Sequence, residues 1–324
     1  MSRNAPRPAR RARVLLVLAA VTVAAAAVPA GAGAARHAPA PVPAIGIGEQ
    51  SPQIFSNPYF TALGVKRVRY ITAWNSLRYK WSRDMLDGYL FAARAAGVEV
   101  LLGFGHARSD KRSVRRRVPS AKAFTRAFLE YRKRYPWVKD WVTWNEANHC
   151  GEPTCHKARR VARFYNSMRR NCAGCRVVGA DVLDTPTMGS WIREFKRTAR
   201  KDKMIWGLHN YIDANRFRTS GTRELLALTR RGQVWFTETG GLVVRRNRSK
   251  IAFPGNERHA AAATRQVFRL ATLSSRVRRI YLYHWQPPTS ALPTWDSALL
   301  DRRGEPRAAY RVLKAHIRRQ TGLG

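Results

Sequence analysis

SAKAFTRAFLEYRKRYPWVKDWVTWNEAN, residues 120–148, contains one complete unit of the pattern that organises this chain. From Ser120 to Tyr135 the segment is amphipathic; Ser120 supplies a start signal, and Pro136 stops the helix because its ring cannot continue it. Trp137 to Trp144 follows at once. It is short and rich in aromatic and β-branched residues, which predicts a strand. That strand runs directly into Asn145 and Glu146, so the unit ends on a carboxylate.

The same alternation extends in both directions and can be counted. Strands are predicted at Ala44 to Gly48, Arg67 to Ala73, Val98 to Gly103, Trp137 to Trp144, Arg176 to Ala180, Met204 to His209, Val234 to Thr237 and Arg279 to Trp285. Helices are predicted at Asn57 to Leu63, Ser82 to Ala96 (closing on Gly97), Ser120 to Tyr135, Lys157 to Arg170, Gly189 to Arg200, Arg223 to Arg231, Glu257 to Ser274 and Pro306 to Arg319. Alternating β and α implies a parallel sheet. Eight units in about 280 residues fit a single closed (β/α)8 TIM barrel better than an open doubly wound sheet. No G-x-G-x-x-G or Walker pattern follows the first strand, which disfavours nucleotide binding. In such a barrel, chemistry gathers at the C-terminal ends of the strands.

Two of those ends carry a glutamate. The fourth strand finishes in Trp144-Asn145-Glu146-Ala147-Asn148 and the seventh in Phe236-Thr237-Glu238-Thr239-Gly240, 92 residues later. Cutting a glycosidic bond with retention requires one carboxyl group to protonate the leaving oxygen. A second, about 5 to 5.5 Å away, attacks the anomeric carbon. Strands four and seven face each other across a barrel mouth, which makes that spacing feasible. Strand periodicity puts Glu146 on one face with Trp144 and Val142, and Glu238 on one face with Phe236 and Val234. A glutamate ending a strand can also serve only as a cap or an ion-pair partner, so the pair carries more weight than either residue alone.

The motifs W-N-E-A-N and F-T-E-T-G resemble the acid/base and nucleophile motifs of clan-A glycoside hydrolases, with families 5 and 39 nearest in character. The resemblance implies a retaining glycosidase with Glu146 as acid/base and Glu238 as nucleophile. It also implies that Asn145 contacts the sugar 2-hydroxyl. Gly207-Leu208-His209-Asn210-Tyr211 resembles the clan's H-x-Y element, with Tyr211 bonding the nucleophile and His209 binding substrate. Arg69 resembles the arginine that pairs with the nucleophile, although Arg67 lies two residues away and a register error would exchange them. Trp285 resembles the tryptophan that stacks under the sugar. Trp295 to Asp301, followed by Gly304 and Arg307 to Tyr310, resembles the segment leading into the last helix. His106 is read as either a substrate ligand or a structural histidine, and Trp74 as lining or packing. Asp181 and Asp184 stand at the right end of the barrel without an implied role. The resemblance requires no cofactor and no metal.

Charge and cysteines bound the setting. The formal charge is +40, and removing the five arginines before the apolar run lowers it only to +35, since no acid precedes Glu49. Such a surface draws polyanions, so the oligo- or polysaccharide substrate is expected to admit acidic forms; arginine used as an ordinary solvated residue is the bland alternative. The densest basic run, Arg108 to Arg117, falls where a barrel places a loop. No nucleic-acid-binding motif accompanies the charge, and no nucleic-acid partner is expected. Cys150, Cys155, Cys172 and Cys175 predict two disulfides with connectivity open, against a structural zinc site with His149 or His156.

At the N-terminus, Arg3 to Arg13 precede the apolar run Val14 to Val28 and small residues to Ala35, the layout of a signal peptide over residues 1–35, by the Sec or Tat route. An uncleaved anchor is the alternative. Residues 36–43 read as an Ala/Pro-rich lead-in and 44–324 as the catalytic domain, so a secreted monomer without stable membrane insertion is expected. A barrel that keeps a sugar cleft but only binds cell-wall or anionic glycan is the competing function.

Overall fold

The computed structural model describes residues 42–200, 203–246 and 255–322; the predicted signal peptide and most of the lead-in lie outside them. Eight parallel strands close into a barrel: β1 Ala44–Gly48, β2 Arg67–Ala73, β3 Glu99–Gly105, β4 Asp140–Val142, β5 Arg176–Leu183, β6 Met204–His209, β7 Gly232–Thr239 and β8 Val277–Tyr283. β8 returns to β1 in the register Ala44↔Arg279 through Gly48↔Tyr283, which closes the ring. Each strand is followed by a helix of the outer ring, in some cases after a shorter helical turn: α1 Pro58–Thr61, α2 Lys80–Ala95, α3 Ala121–Arg134, α4 Ala158–Arg170, α5 Met188–Lys196, α6 Ser220–Leu228, α7 Glu257–Ala271 and α8 Ala308–Thr321. The expected TIM barrel is thus present. Among the described residues, no helix is long and apolar enough to cross a membrane.

The helix starts obey local chemistry. The Ser120 hydroxyl accepts the Ala123 N–H at 3.1 Å, and the Asn256 side chain accepts that of His259 at 2.7 Å, each satisfying a donor that the first turn leaves unpaired. Inside the barrel, Leu101, Val142, Val178, Trp235 and Tyr281 form one apolar layer. A Cβ on Gly46 would lie 2.4 Å from the Tyr281 ring, so a glycine is needed there for the tyrosine to fill the interior. Outside, Trp141 meets Phe104 and Phe128 of the helix-facing layer at 5.9 and 5.2 Å between ring centroids. Arg67 pairs with Glu99 at 3.3 Å, both partly exposed, which leaves Arg69 as the buried arginine of β2.

Two strand ends depart from simple alternation. β4 stops at Val142, well short of the expected Trp144. Trp144 then turns toward the helices, stacking at 5.9 Å on Phe164, so it shares no face with Glu146. In β7, Gly207↔Trp235 is followed by His209↔Glu238, so three steps along β7 match two along β6. This extra residue is a bulge. Val234 and Phe236 face the helices, whereas Glu238 is brought to the inner side beside Thr237, contrary to strict period-two placement. β8 likewise ends two residues earlier than expected.

Candidate active site

At the C-terminal mouth of the barrel, side chains from β2, β5, β6 and β7 and from the segments that follow β4 and β6 converge. Arg69, which is almost fully buried, donates from Nη1 to Glu238 Oε2 at 2.6 Å, and from Nη2 to Asn145 Oδ1 at 2.6 Å and Asp181 Oδ2 at 2.8 Å. Tyr211 donates its hydroxyl to Glu238 Oε1 at 3.1 Å. His209 lies 3.2 Å by Nδ1 from Glu146 Oε1 and 3.3 Å by Nε2 from Asp181 Oδ2. A carboxylate oxygen of Glu146 and one of Glu238 lie within 4.8 Å of each other, with His209 within the same reach of both. They open into a cleft of about 760 Å³, also lined by His149, Asp184, Arg245, Tyr283, His284 and Trp295.

Glu146 reaches the mouth through a backbone conformation that L-residues avoid, with φ at +44°. That conformation costs on the order of 1–2 kcal/mol in a non-glycine residue. The neighbouring chain holds it: Asn145 N–H donates to the Phe104 carbonyl at 2.7 Å, Ala147 N–H to that of Asp181 at 2.9 Å, and His149 N–H to that of Glu146 at 2.8 Å. Asn148, the second asparagine of W-N-E-A-N, ties this loop to the end of β5. Its side chain accepts Leu183 N–H at 2.8 Å and donates to the Leu183 carbonyl at 3.1 Å.

The electrostatics follow from burial and charge. Burial opposes the charge of Arg69, but Asp181 and Glu238 more than offset it, and the guanidinium is held above its ordinary pKa. His209 feels the same burial against its charge, yet Glu238, Asp181 and Glu146 raise it to about 9. For Glu146, burial pulls upward while the hydrogen bond and charge of His209, aided by His149 and Arg69, pull harder, so the carboxyl sits below its ordinary range. Burial, then Glu238, keeps Tyr211 well above the usual phenol range and therefore able to donate.

Of the residues expected from sequence, Glu146, Glu238, Asn145, Arg69, His209 and Tyr211 come together. Tyr211 does so from the first position of a short helix, Tyr211–Asn215, and not from the face of β6 that carries His209. Trp285 does not join them. It is fully buried against Phe60 of α1 and Tyr310 of α8, with centroids at 5.7 and 6.0 Å, because the chain has already left β8 and turned into the helix layer. Tyr283, the last residue of β8, and Trp295 line the cleft in its stead. Trp74 packs in the core, and His106 lies in a neighbouring recess of about 430 Å³ with Asn145, paired to Glu152 at 2.7 Å.

Asp181 is one of the two acids, with Asp184, that the sequence left without a role. It is fully buried and accepts from Arg69, and from Thr237 Oγ1 at 2.6 Å. An acid ending an apolar strand, in a chain with 20 acids against 60 bases, was the available signal. Gly207 makes room for it: a Cβ there would stand 1.9 Å from Asp181 Oδ1. The four cysteines form Cys150–Cys155 and Cys172–Cys175, so the sulfurs are not offered to a zinc ion. The first bridge closes the loop bearing Glu152, whose other oxygen accepts the Trp144 indole N–H at 2.9 Å.

No family model matches the chain, and no curated protein matches it in sequence. Solved structures share its fold. A family 39 glycoside hydrolase from the gut symbiont Bacteroides cellulosilyticus WH2 superposes with a TM-score of 0.58 at 14% identity over 84% of this chain and 62% of that one. GH5_18 from Streptomyces cattleya, in complex with GlcNAc, gives 0.63 at 16% over 87% and 81%. A GH10 endoxylanase retrieved from sugarcane soil metagenome gives 0.61 at 13% over 85% and 97%. The chain thus shares its closed parallel barrel with these glycoside hydrolases.

Proposed function

We propose that the protein is a secreted retaining glycoside hydrolase acting on an oligo- or polysaccharide. The observation that carries this reading is the pair Glu146 and Glu238, with carboxylate oxygens within 4.8 Å across the barrel mouth. Oxygens that close support an arrangement in which the second carboxylate itself attacks the sugar, with carboxyl groups about 5–5.5 Å apart, over the about 6.5–9.5 Å by which an inverting enzyme admits a water. The two disulfides and the basic-then-apolar N-terminal sequence support export.

In the first step Glu238 attacks the anomeric carbon while the departing oxygen takes a proton from Glu146; in the second, Glu146 removes a proton from water, which releases the sugar. Arg69 and Tyr211 each hold one of the two oxygens of Glu238. Glu146 and His209 form one unit at 3.2 Å that holds a single proton. Before substrate binds, that proton rests on His209, and a leaving oxygen arriving at Glu146 draws it across. Asn145 is oriented by Arg69 through its carbonyl oxygen, which turns its amide N–H groups to a sugar hydroxyl. Tyr283 and Trp295 supply the aromatic walls. A barrel that only binds glycan has no need of a glutamate held at positive φ opposite a second, arginine-clamped one.

Glu238→Ala is expected to abolish hydrolysis of an activated aryl glycoside that the wild type cleaves. Azide should partly restore turnover and yield the glycosyl azide of inverted configuration. Unchanged turnover in the variant, or rescue without azide incorporation, would remove Glu238 as nucleophile.

A further inference from the structure

Away from the cleft, α7 and α8 pack side by side, and a groove of about 600 Å³ lies between them. It shares no lining residue with the cleft. One wall carries Arg265 and Arg269, a helical turn apart; the other carries Arg311 and Arg319. Arg311 and Arg319 also border a shallower recess, to which α8 adds Lys314 and Arg318. Among the described residues, no acid lines either recess. Among the same residues these six cations form no ion pair: Arg269 bonds Gln266 of its own helix, Arg311 bonds the Pro306 carbonyl, and Glu257 at the start of α7 is engaged by Arg307.

Two walls of like charge facing one another across a groove repel, and no acid among the described residues neutralises them. Cations in a last helical turn offset the helix dipole, which accounts for Arg269, Arg318 and Arg319. It does not account for Arg265, Arg311 or Lys314, which stand farther from the helix ends. Ala261, Ala308 and Ala315 line the groove along with the arginines, small side chains that leave space beside the guanidinium groups. Phe268 in the groove is covered by the His316 ring at 3.6 Å with the planes parallel. Burial and Arg319 lower His316 to about 4, so it adds no charge at neutral pH.

We propose that this groove is a second glycan site, which holds a chain of an acidic polysaccharide on the flank of the barrel while the cleft cuts elsewhere along the polymer. A groove suits an extended polymer better than a flat lipid surface. Phe268 is buried beneath His316, so its face is not offered for stacking to nucleic-acid bases. The choice of a glycan among polyanions rests on the glycosidase reading; the anion site itself does not.

The test is direct binding of polygalacturonate at low salt, with dextran as the neutral control and duplex DNA as the competing polyanion. Wild type is compared with Arg265→Gln/Arg311→Gln/Arg319→Gln and with Lys122→Gln/Arg126→Gln/Lys133→Gln, which removes the same charge from α3. The groove variant should lose about tenfold or more in affinity for polygalacturonate and show a shallower salt dependence. The α3 variant should lose less than about threefold. Both should keep wild-type turnover of a small aryl glycoside, which separates this outcome from any failure of the catalytic reading. Arg319→Gln alone, expected to weaken binding in part, covers the case of a poorly folded triple variant. Equal losses in the two triple variants, no binding to polygalacturonate, or groove-dependent binding that prefers DNA would each overturn the proposal.

Discussion

Replacing Asp181 by Asn removes a charge from the centre of the site while preserving shape. The carboxylate is fully buried, 2.8 Å from Arg69 Nη2, 3.3 Å from His209 Nε2 and 2.6 Å from Thr237 Oγ1. An asparagine oxygen can still accept from Arg69, and its amide can donate to Thr237, whose hydroxyl reverses. What disappears is the negative charge between two buried cations. Breaking a buried ion pair by removing one partner costs about 3–5 kcal/mol. Arg69 keeps Glu238 and Asn145, so the lower end applies, about 3 kcal/mol. For a domain of this size that corresponds to a fall in Tm of about 6–12 °C. Thermal unfolding at neutral pH measures it, and NMR titration should show the His209 pKa falling from its raised value. A variant that melts within about 3 °C of wild type, with His209 unmoved, would refute the assignment of Asp181 as the buried counter-charge.

Three further outcomes are expected, one of them with a paired control. Gly207→Ala pushes a methyl group to within 1.9 Å of Asp181 Oδ1, and so should lower kcat/KM by about 100-fold through displacement of the Arg69 cluster. Gly88→Ala, on a helix face where a Cβ meets nothing, should instead stabilise by about 1 kcal/mol in urea unfolding. His209→Gln removes the group that holds the shared proton up to about 9, so the alkaline limb of the kcat/KM profile should move down by about 2 units or more; an unmoved limb would separate His209 from that proton. Asp184 is pushed up to about 7, chiefly by burial and then by Asp213, against the hydrogen bonds from Ile212 and Asp213 N–H. Its folded form therefore holds a proton that its unfolded form gives up near pH 4, and the stability this contributes is lost as pH rises from about 4 to 7. Denaturant titrations should show wild type losing stability relative to Asp184→Asn across that window, and a constant difference would contradict the shift.

The barrel was legible because each strand is bounded by chemistry that acts locally: the stop at Pro136, the cap at Ser120, the run of β-branched and aromatic residues between. Glu146, Glu238, Asn145, Arg69, His209 and Tyr211 were legible because they lie in strands or just past strand ends. The faces on which the glutamates lie were not. Glu238 is turned inward by one extra residue in β7, and Glu146 by a single left-handed residue after β4 has ended; neither leaves a mark in alternation of residue type. Trp285 was misplaced for the related reason that β8 ends at Tyr283, after which inward and outward no longer alternate. Asp181 shows the opposite limit. Its place at a strand end was visible, but its role depends on Arg69, Thr237 and the space above Gly207, which only the closed barrel brings together.

The central claim is that Glu146 and Glu238 stand close enough for the sugar to be attacked by the protein and not by water. The most direct measurement is the anomeric configuration of the first product, followed by proton NMR during hydrolysis of an aryl glycoside before mutarotation sets in. The account predicts that the new hemiacetal appears with the configuration of the substrate. First appearance of the opposite anomer would mean single displacement by water and would contradict it.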